Sequence, residues 1–301
     1  MNQAGLLAAL RDDPENDTLR LVYADWLDEH DQPARAEFIR GHVELSRQEA
    51  GSERSETLRQ RLDWLHAQYK EAWLGPLAQH APHTTFERGV VQQVTLPVGL
   101  FLQRGQELLA GHPVVRLRLT QGEGLLPALA QCPHLVGLRH LALVGMTVEV
   151  EDASALAGSP WLGGLRHLQL RETKLSLPAL QVLLTSTHLG ELSSLSVASN
   201  ELGDEGARLV AETMALPALR RIDLSSNRIT RHGALALAGS EKLGNLHTLR
   251  LAGNQLTPDD VRRILWSPTL RSLQLLDVAS NSLLYRSTEV LRNEFGPRII
   301  L

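Results

Sequence analysis

Hydrophobic positions in the second half of this chain recur with one spacing. Leu138, Leu165, Leu192, Leu219, Leu246 and Leu273 stand 27 residues apart, each opening a copy of Leu-x-x-Leu-x-Leu-x-x-Asn-x-Leu. The fullest copies are LSSLSVASNEL (192–202), LRRIDLSSNRI (219–229), LHTLRLAGNQL (246–256) and LQLLDVASNSL (273–283). Within each, apolar and polar residues alternate, which predicts a strand with one side turned inward. Two further columns keep the phase: Leu156, Leu183, Val210, Leu237, Ile264 and Leu291, and Leu135, Leu162, Leu189, Leu216, Leu243 and Leu270. A fixed period of this length predicts a solenoid, whose units bury their apolar faces only against their neighbours.

Between strands the spacing turns helical. In 203–216, Ala207, Val210, Ala211 and Met214 fall on one stripe. In TPDDVRRILWSP, Thr257 suits the N-cap, Pro258 the first helical position and Asp260 the first turn, and Pro268 stops the helix. Strands pack about 4.8 Å apart and helices about 10 Å, so stacked strand–helix units are expected to bow into a horseshoe with the sheet on the concave side. Asn200, Asn227, Asn254 and Asn281 stand where the chain leaves each strand, and a ladder of amides bonding the turn backbone is expected there. Thr173, Met146 and Gly122 replace them upstream, where less regular turns are expected. With VVRLRL (114–119) and FERGVVQQVTL (86–96) included, residues 85–301 read as about eight strands, and Ile299–Leu301 as a terminal strand covering the open edge.

Residues 1–80 do not share the period and read as an all-helical module with a connecting helix. LLAALRDD is a short helix. Asp17 is the expected cap of DTLRLVYADWLDEH, with Leu19, Val22, Tyr23, Trp26 and Leu27 as its apolar stripe. ARAEFIRGHVELSRQ follows Asp31-Gln32-Pro33, with Phe38, Ile39, His42 and Leu45 turned inward. After a break at 49–56, residues 57–74 carry Leu58, Leu62, Leu65, Tyr69 and Trp73 on one side.

These motifs carry two resemblances. Residues 85–301 resemble leucine-rich repeat proteins of the subtype with a helix in every unit, that of ribonuclease inhibitor and the activator of the Ran GTPase. The resemblance implies an α/β solenoid that serves as a protein-interaction scaffold, or alternatively a small-GTPase regulator or enzyme inhibitor. Residues 6–40, with R-L-V-Y-A-D-W-L-D-E followed by E-F-I-R, resemble the small "repeat-companion" domain at the front of many bacterial repeat proteins. Gly41-His42 departs from that pattern, so the third helix is expected to end or bend early.

Charge changes the picture little. Net charge is −4, with 9 Lys and Arg against 15 Asp and Glu in residues 1–80, and 21 against 19 thereafter. Neither part has the basic excess of a nucleic-acid binder. A lone cysteine, Cys132, the lack of a basic, apolar leader and the lack of a membrane-length apolar run give the expectation of a cytoplasmic monomer. Asp25, Asp28, Glu29 and Asp31 read as a solvated face pairing with Arg35 or Arg40. The 12 histidines form no ligand spacing, and no phosphate loop or nucleophile elbow is present. No cofactor, no metal and no catalysis are expected.

The informative positions are those flanking the strand leucines on the sheet's open face. Basic or histidine-bearing rows come first (Arg116, Arg118; His140; His167, Gln169, Arg171), and later rows mix signs (Arg221, Asp223; Arg250; Asp277). These ten residues are the expected contact with a protein partner bearing an acidic patch, its salt dependence set by the cationic rows.

Overall fold

The structure, a computed structural model, describes residues 2–49, 51–81 and 84–301. The chain divides into two compact units, Met1–Arg118 and Leu119–Leu301. The expected break at 49–56 includes Ala50, which lies outside the described residues.

The first unit holds α1 (Gln3–Asp12), α2 (Asp17–Glu29), α3 (Pro33–Leu45), α4 (Glu53–Leu74), α5 (Leu77–His80), β1 (Gln93–Pro97), α6 (Val98–Leu109) and the start of β2 (Arg116–Thr120). Asn16, not Asp17, caps α2: its side chain accepts the Leu19 N–H at 3.1 Å. Asp17 is engaged instead with Arg20 and Arg88. The α2 stripe is rotated from expectation. Tyr23 and Leu27 are buried, but Val22 is 45% exposed and Arg20 only 1%. Arg20 can lie inside because Asp17 and the Pro14 carbonyl accept its guanidinium N–H groups.

Helix α3 runs straight through Gly41-His42, against the expected early end. A Cβ on Gly41 would stand 2.7 Å from Leu62 Cδ2, so glycine here permits close α3–α4 packing. Ser52 starts α4 by accepting the Ser55 N–H, earlier than residue 57. Leu58, Leu62, Leu65 and Trp73 are buried on it, whereas Tyr69 is exposed. Arg40 pairs with Asp25 and Asp28, and Arg35 turns inward toward the Gly111 carbonyl. One core joins Leu6, Leu10, Tyr23, Leu27 and Ile39 to Val90, ahead of β1. At the turn before it, Gly89 has φ +83°, and a Cβ there would lie 2.6 Å from Ile39 Cα.

The second unit repeats helix and strand: α7 (Leu126–Ala130), β3 (His140–Val144), α8 (Val150–Ala157), β4 (His167–Arg171), α9 (Leu177–Leu184), β5 (Ser194–Ser196), α10 (Gly203–Thr213), β6 (Arg221–Asp223), α11 (Arg231–Ala238), β7 (Thr248–Arg250), α12 (Pro258–Leu265), β8 (Leu275–Asp277), α13 (Tyr285–Phe295) and β9 (Ile299–Ile300). Among the described residues there are nine strands, ordered β1 to β9 in the sheet. From β3 to β8 the pairing is parallel and the register shift is the sequence period: His140, His167, Ser194, Arg221, Thr248 and Leu275 form one row. β9 adds to β8 through Leu276↔Ile299, the terminal strand expected at the edge. The apolar columns, from Leu138 to Leu273 and through both later registers, are buried.

Two polar columns hold the turns. Asn227 Oδ1 accepts the N–H groups of Asn200 and Leu202, and its Nδ2 donates to the carbonyls of Val197 and Ser225. Asn254 treats Asn227 and Ile229 the same way. The ladder reaches back to Thr173, whose N–H and hydroxyl both donate to Asn200 Oδ1. A second column lies at the opposite edge. Ser159, Ser186, Ser240 and Ser267 each donate a hydroxyl to a carbonyl 29 residues earlier, on Ala130, Ala157, Ala211 and Ala238. The same spacing of 27 or its double was present in the sequence but unused, because small hydroxyl residues carry no hydrophobic signal.

Candidate interaction surface

Alternation along each strand of the second unit buries one residue and turns the next away from the helices. His140 and His167 are half-buried on that open face, Gln169, Arg171, Arg221 and Arg250 are exposed, and Asp223 and Asp277 are half-buried. Arg116 and Arg118 belong to the first unit, where Arg118 is exposed and Arg116 is held by Glu87 and Gln92. The register thus brings eight of the ten expected residues onto one face of one unit.

Within that face two histidines meet. The rings of His140 and His167 stack with centroids 3.9 Å apart and planes 8° apart. Parallel pairing at a spacing of one repeat sets the two side chains next to each other, because directly opposed side chains on adjacent strands share a direction. Two strands on, Arg221 Nη2 lies 3.5 Å from His167 Nε2. Arginine has no acceptor, so in this contact the ring nitrogen is the acceptor. Arg171 is paired with exposed Glu172 at 3.1 Å, a surface pair that contributes little and leaves Arg171 ready to exchange partners.

The acidic members are fixed by their surroundings. Asp223 accepts from the Ser196 hydroxyl and the Ser225 N–H, each at 3.0 Å. Asp277 accepts the Ala279 N–H at 3.2 Å. Asp223 stands beside Arg250, and Arg250 beside Asp277, in register. Among the described residues Arg250 makes no ion pair in that position. Ser196 and Ala198 are buried rather than presented, which leaves the middle of the face low and narrow in chemistry.

Ionisable groups with strongly shifted behaviour lie elsewhere. In the first unit, burial lowers His42 to about 4, with the neighbouring His66 acting in the same sense. Burial, then the charge of Arg35, lowers His112 to about 4. Both are packed residues whose neutral rings fill space. Cys132 is buried and free. Among the described residues no group of three or more His, Cys, Asp or Glu could hold a metal, and no helix is long and apolar enough to cross a membrane.

The match to a family model agrees with this repeat geometry. A family model described as Leucine Rich repeat matches residues 192–211 and 216–238, and the structure carries the same 27-residue register beyond both ends of that match. No curated protein matches the chain. Among solved structures, a protein from Bacteroides fragilis is similar at 13% identity and a TM-score of 0.43, over 81% of this chain and 83% of that one. An internalin from Listeria monocytogenes is similar at 19% identity and 0.31, over 62% and 66%. The leucine-rich-repeat ectodomain of a plant membrane receptor kinase from Arabidopsis thaliana, solved in complex with Casparian strip integrity factor 2, follows at 20% and 0.21, over 56% and 29%.

Proposed function

We propose that the leucine-rich repeats of this chain form a non-enzymatic scaffold that binds a protein partner on the open face of the sheet. The observation that carries this reading is the row His140–His167–Ser194–Arg221–Thr248–Leu275, set by register alone on a backbone fixed from behind by buried leucines and two hydrogen-bonded columns. Rigid, solvent-facing polar residues suit recognition, since little conformational freedom is lost on binding. The partner contact is centred on His140, His167, Gln169, Arg171 and Arg221, with Asp223, Arg250 and Asp277 flanking it, and it takes an acidic patch. In the first unit, the helices α1–α3 serve as the cap of the segment around Val90 and β1, closing an apolar end that would otherwise meet water.

The test is affinity capture with wild type beside an Arg171→Glu/Arg221→Glu variant that melts at the same temperature. Partners retained by wild type and lost tenfold or more by the variant, with a salt dependence that weakens in parallel, are expected. Equal retention by both proteins removes the strand face from the contact.

A further inference from the structure

The fifth strand-to-strand unit breaks the serine column. Where the two units before it carry Ser159 and Ser186 and the two after it Ser240 and Ser267, position 213 is threonine, and its hydroxyl turns back to the Leu209 carbonyl at 2.6 Å within its own helix. The chain is pinned to the preceding repeat by the Ala215 N–H on Leu184 O instead. Helix α10 therefore has 11 residues, where α8, α9, α11 and α12 have 8. The displaced turn and the following one flank a cleft of about 290 Å³, floored by Met214, Leu216, Leu243 and Leu246, with Lys242 and Asn245 among its lining residues. This edge carries the turns that lead into β6 and β7.

We propose that this cleft docks a segment of a partner protein in which one leucine- or phenylalanine-sized side chain is flanked by carboxylates. The volume lies just below the range of small-molecule sites and suits a single side chain. Its floor is aliphatic and thioether, surfaces that adapt to an inserted apolar group. The charge beside it is uncompensated. Exposed Lys242 makes no ion pair among the described residues, although Glu241 is its neighbour in sequence. Arg220 is held next to the cleft by donating to the carbonyls of Pro217 at 3.0 Å and Leu219 at 2.9 Å, neither of which neutralises it. An apolar floor with Lys242 in its lining and Arg220 bonded to two lining residues selects against neutral and basic segments. The cleft is separate from the strand face, and its occupation does not depend on that face being a binding surface.

The chain has three methionines, Met1, Met146 and Met214. Met146 is buried in the turn after β3 and gives an internal reference. Protein labelled with ¹³C at the methionine methyls is titrated with an acidic hexapeptide carrying one central phenylalanine, with its alanine counterpart, and with a version having glutamines for the acids. The phenylalanine peptide should shift the Met214 methyl saturably while Met146 stays fixed. The other two peptides, and the first peptide on Lys242→Glu, should each bind at least tenfold more weakly. Arg171→Glu, on the strand face, should leave the titration unchanged. A silent Met214, equal response to the alanine peptide, or indifference to Lys242→Glu overturns the proposal, and loss of binding in Arg171→Glu moves the peptide to the strand face and overturns it as well.

Discussion

The side-chain oxygen of Asn227 accepts the backbone N–H of Asn200, one repeat earlier, at 3.1 Å. The asparagine that ends one strand thereby satisfies the turn of the strand before it, and successive repeats are linked in series by backbone groups that no ladder bond reaches. Each amide makes its bonds with almost no exposure: Asn227 is 0% exposed, and Asn200 and Asn254 are 6% exposed.

Removing a central rung should therefore cost more than removing the last. Asn227→Ala leaves two N–H groups and two carbonyls of the turn without this partner, and a loss of about 3–5 kcal/mol is expected. Asn281, half-buried at the end of the column, should cost about 1–2 kcal/mol on the same substitution. Urea unfolding of the two variants checks this order; equal midpoints would show that the ladder does not hold the turns.

The serine column predicts a smaller, position-specific effect. Ser240→Ala removes a buried hydroxyl donating to Ala211 O at 2.6 Å and should cost about 1–2 kcal/mol. Thr213→Ala, whose hydroxyl bonds only within its own helix, should change the melting temperature little. A Thr213 variant as damaging as the Ser240 variant would contradict the account of the displaced turn.

Acid should weaken the first unit. His42 and His112 have ring pKa values lowered by burial to about 4, against 6.5 for the free ring. The unfolded chain therefore takes up protons from pH 6.5 downward while the folded unit does not until near pH 4. Stability rises with pH across that window and is fully present above it. Each histidine accounts for a loss of about 3 kcal/mol at most between those limits. Denaturant midpoints measured from pH 7 to pH 4 should fall, and should fall less in His42→Gln/His112→Gln.

Gly89 tests the packing of α3 on the turn before β1. Its φ of +83° and the 2.6 Å gap from an added Cβ to Ile39 Cα leave no room for alanine. Gly89→Ala is expected to cost about 2–4 kcal/mol, combining an unfavourable left-handed backbone with overpacking against a main chain that cannot rotate away. Limited proteolysis should then cut within residues 1–80 before the repeats. Wild-type resistance in that variant would remove the cap from the account.

The period of 27 by itself determined the positions of β3 to β8, their order, the buried columns and the asparagine ladder. Each of these depends on side chains repeating against copies of themselves, so spacing and packing carry the same information. The terminal strand at Ile299 and an acidic face paired with Arg35 or Arg40 were legible on similar local grounds, and the structure gives that pairing to Arg40. Outside the period the sequence underdetermined the answer. The α2 cap fell to Asn16 rather than Asp17 because Asp17 was drawn to Arg88, distant in sequence. Gly41 read as a helix end, but Leu62 approaches it from α4, and only tertiary contact makes the missing Cβ an advantage. The alignment of His140, His167 and Arg221 follows from parallel register, yet the stacking of the two rings and the reach of Arg221 required three-dimensional side-chain placement. The cleft beside Met214 arises where one repeat loses a serine and gains helix. A missing hydroxyl leaves no mark in a hydrophobic pattern, and its effect exists only in how two adjacent turns fail to close.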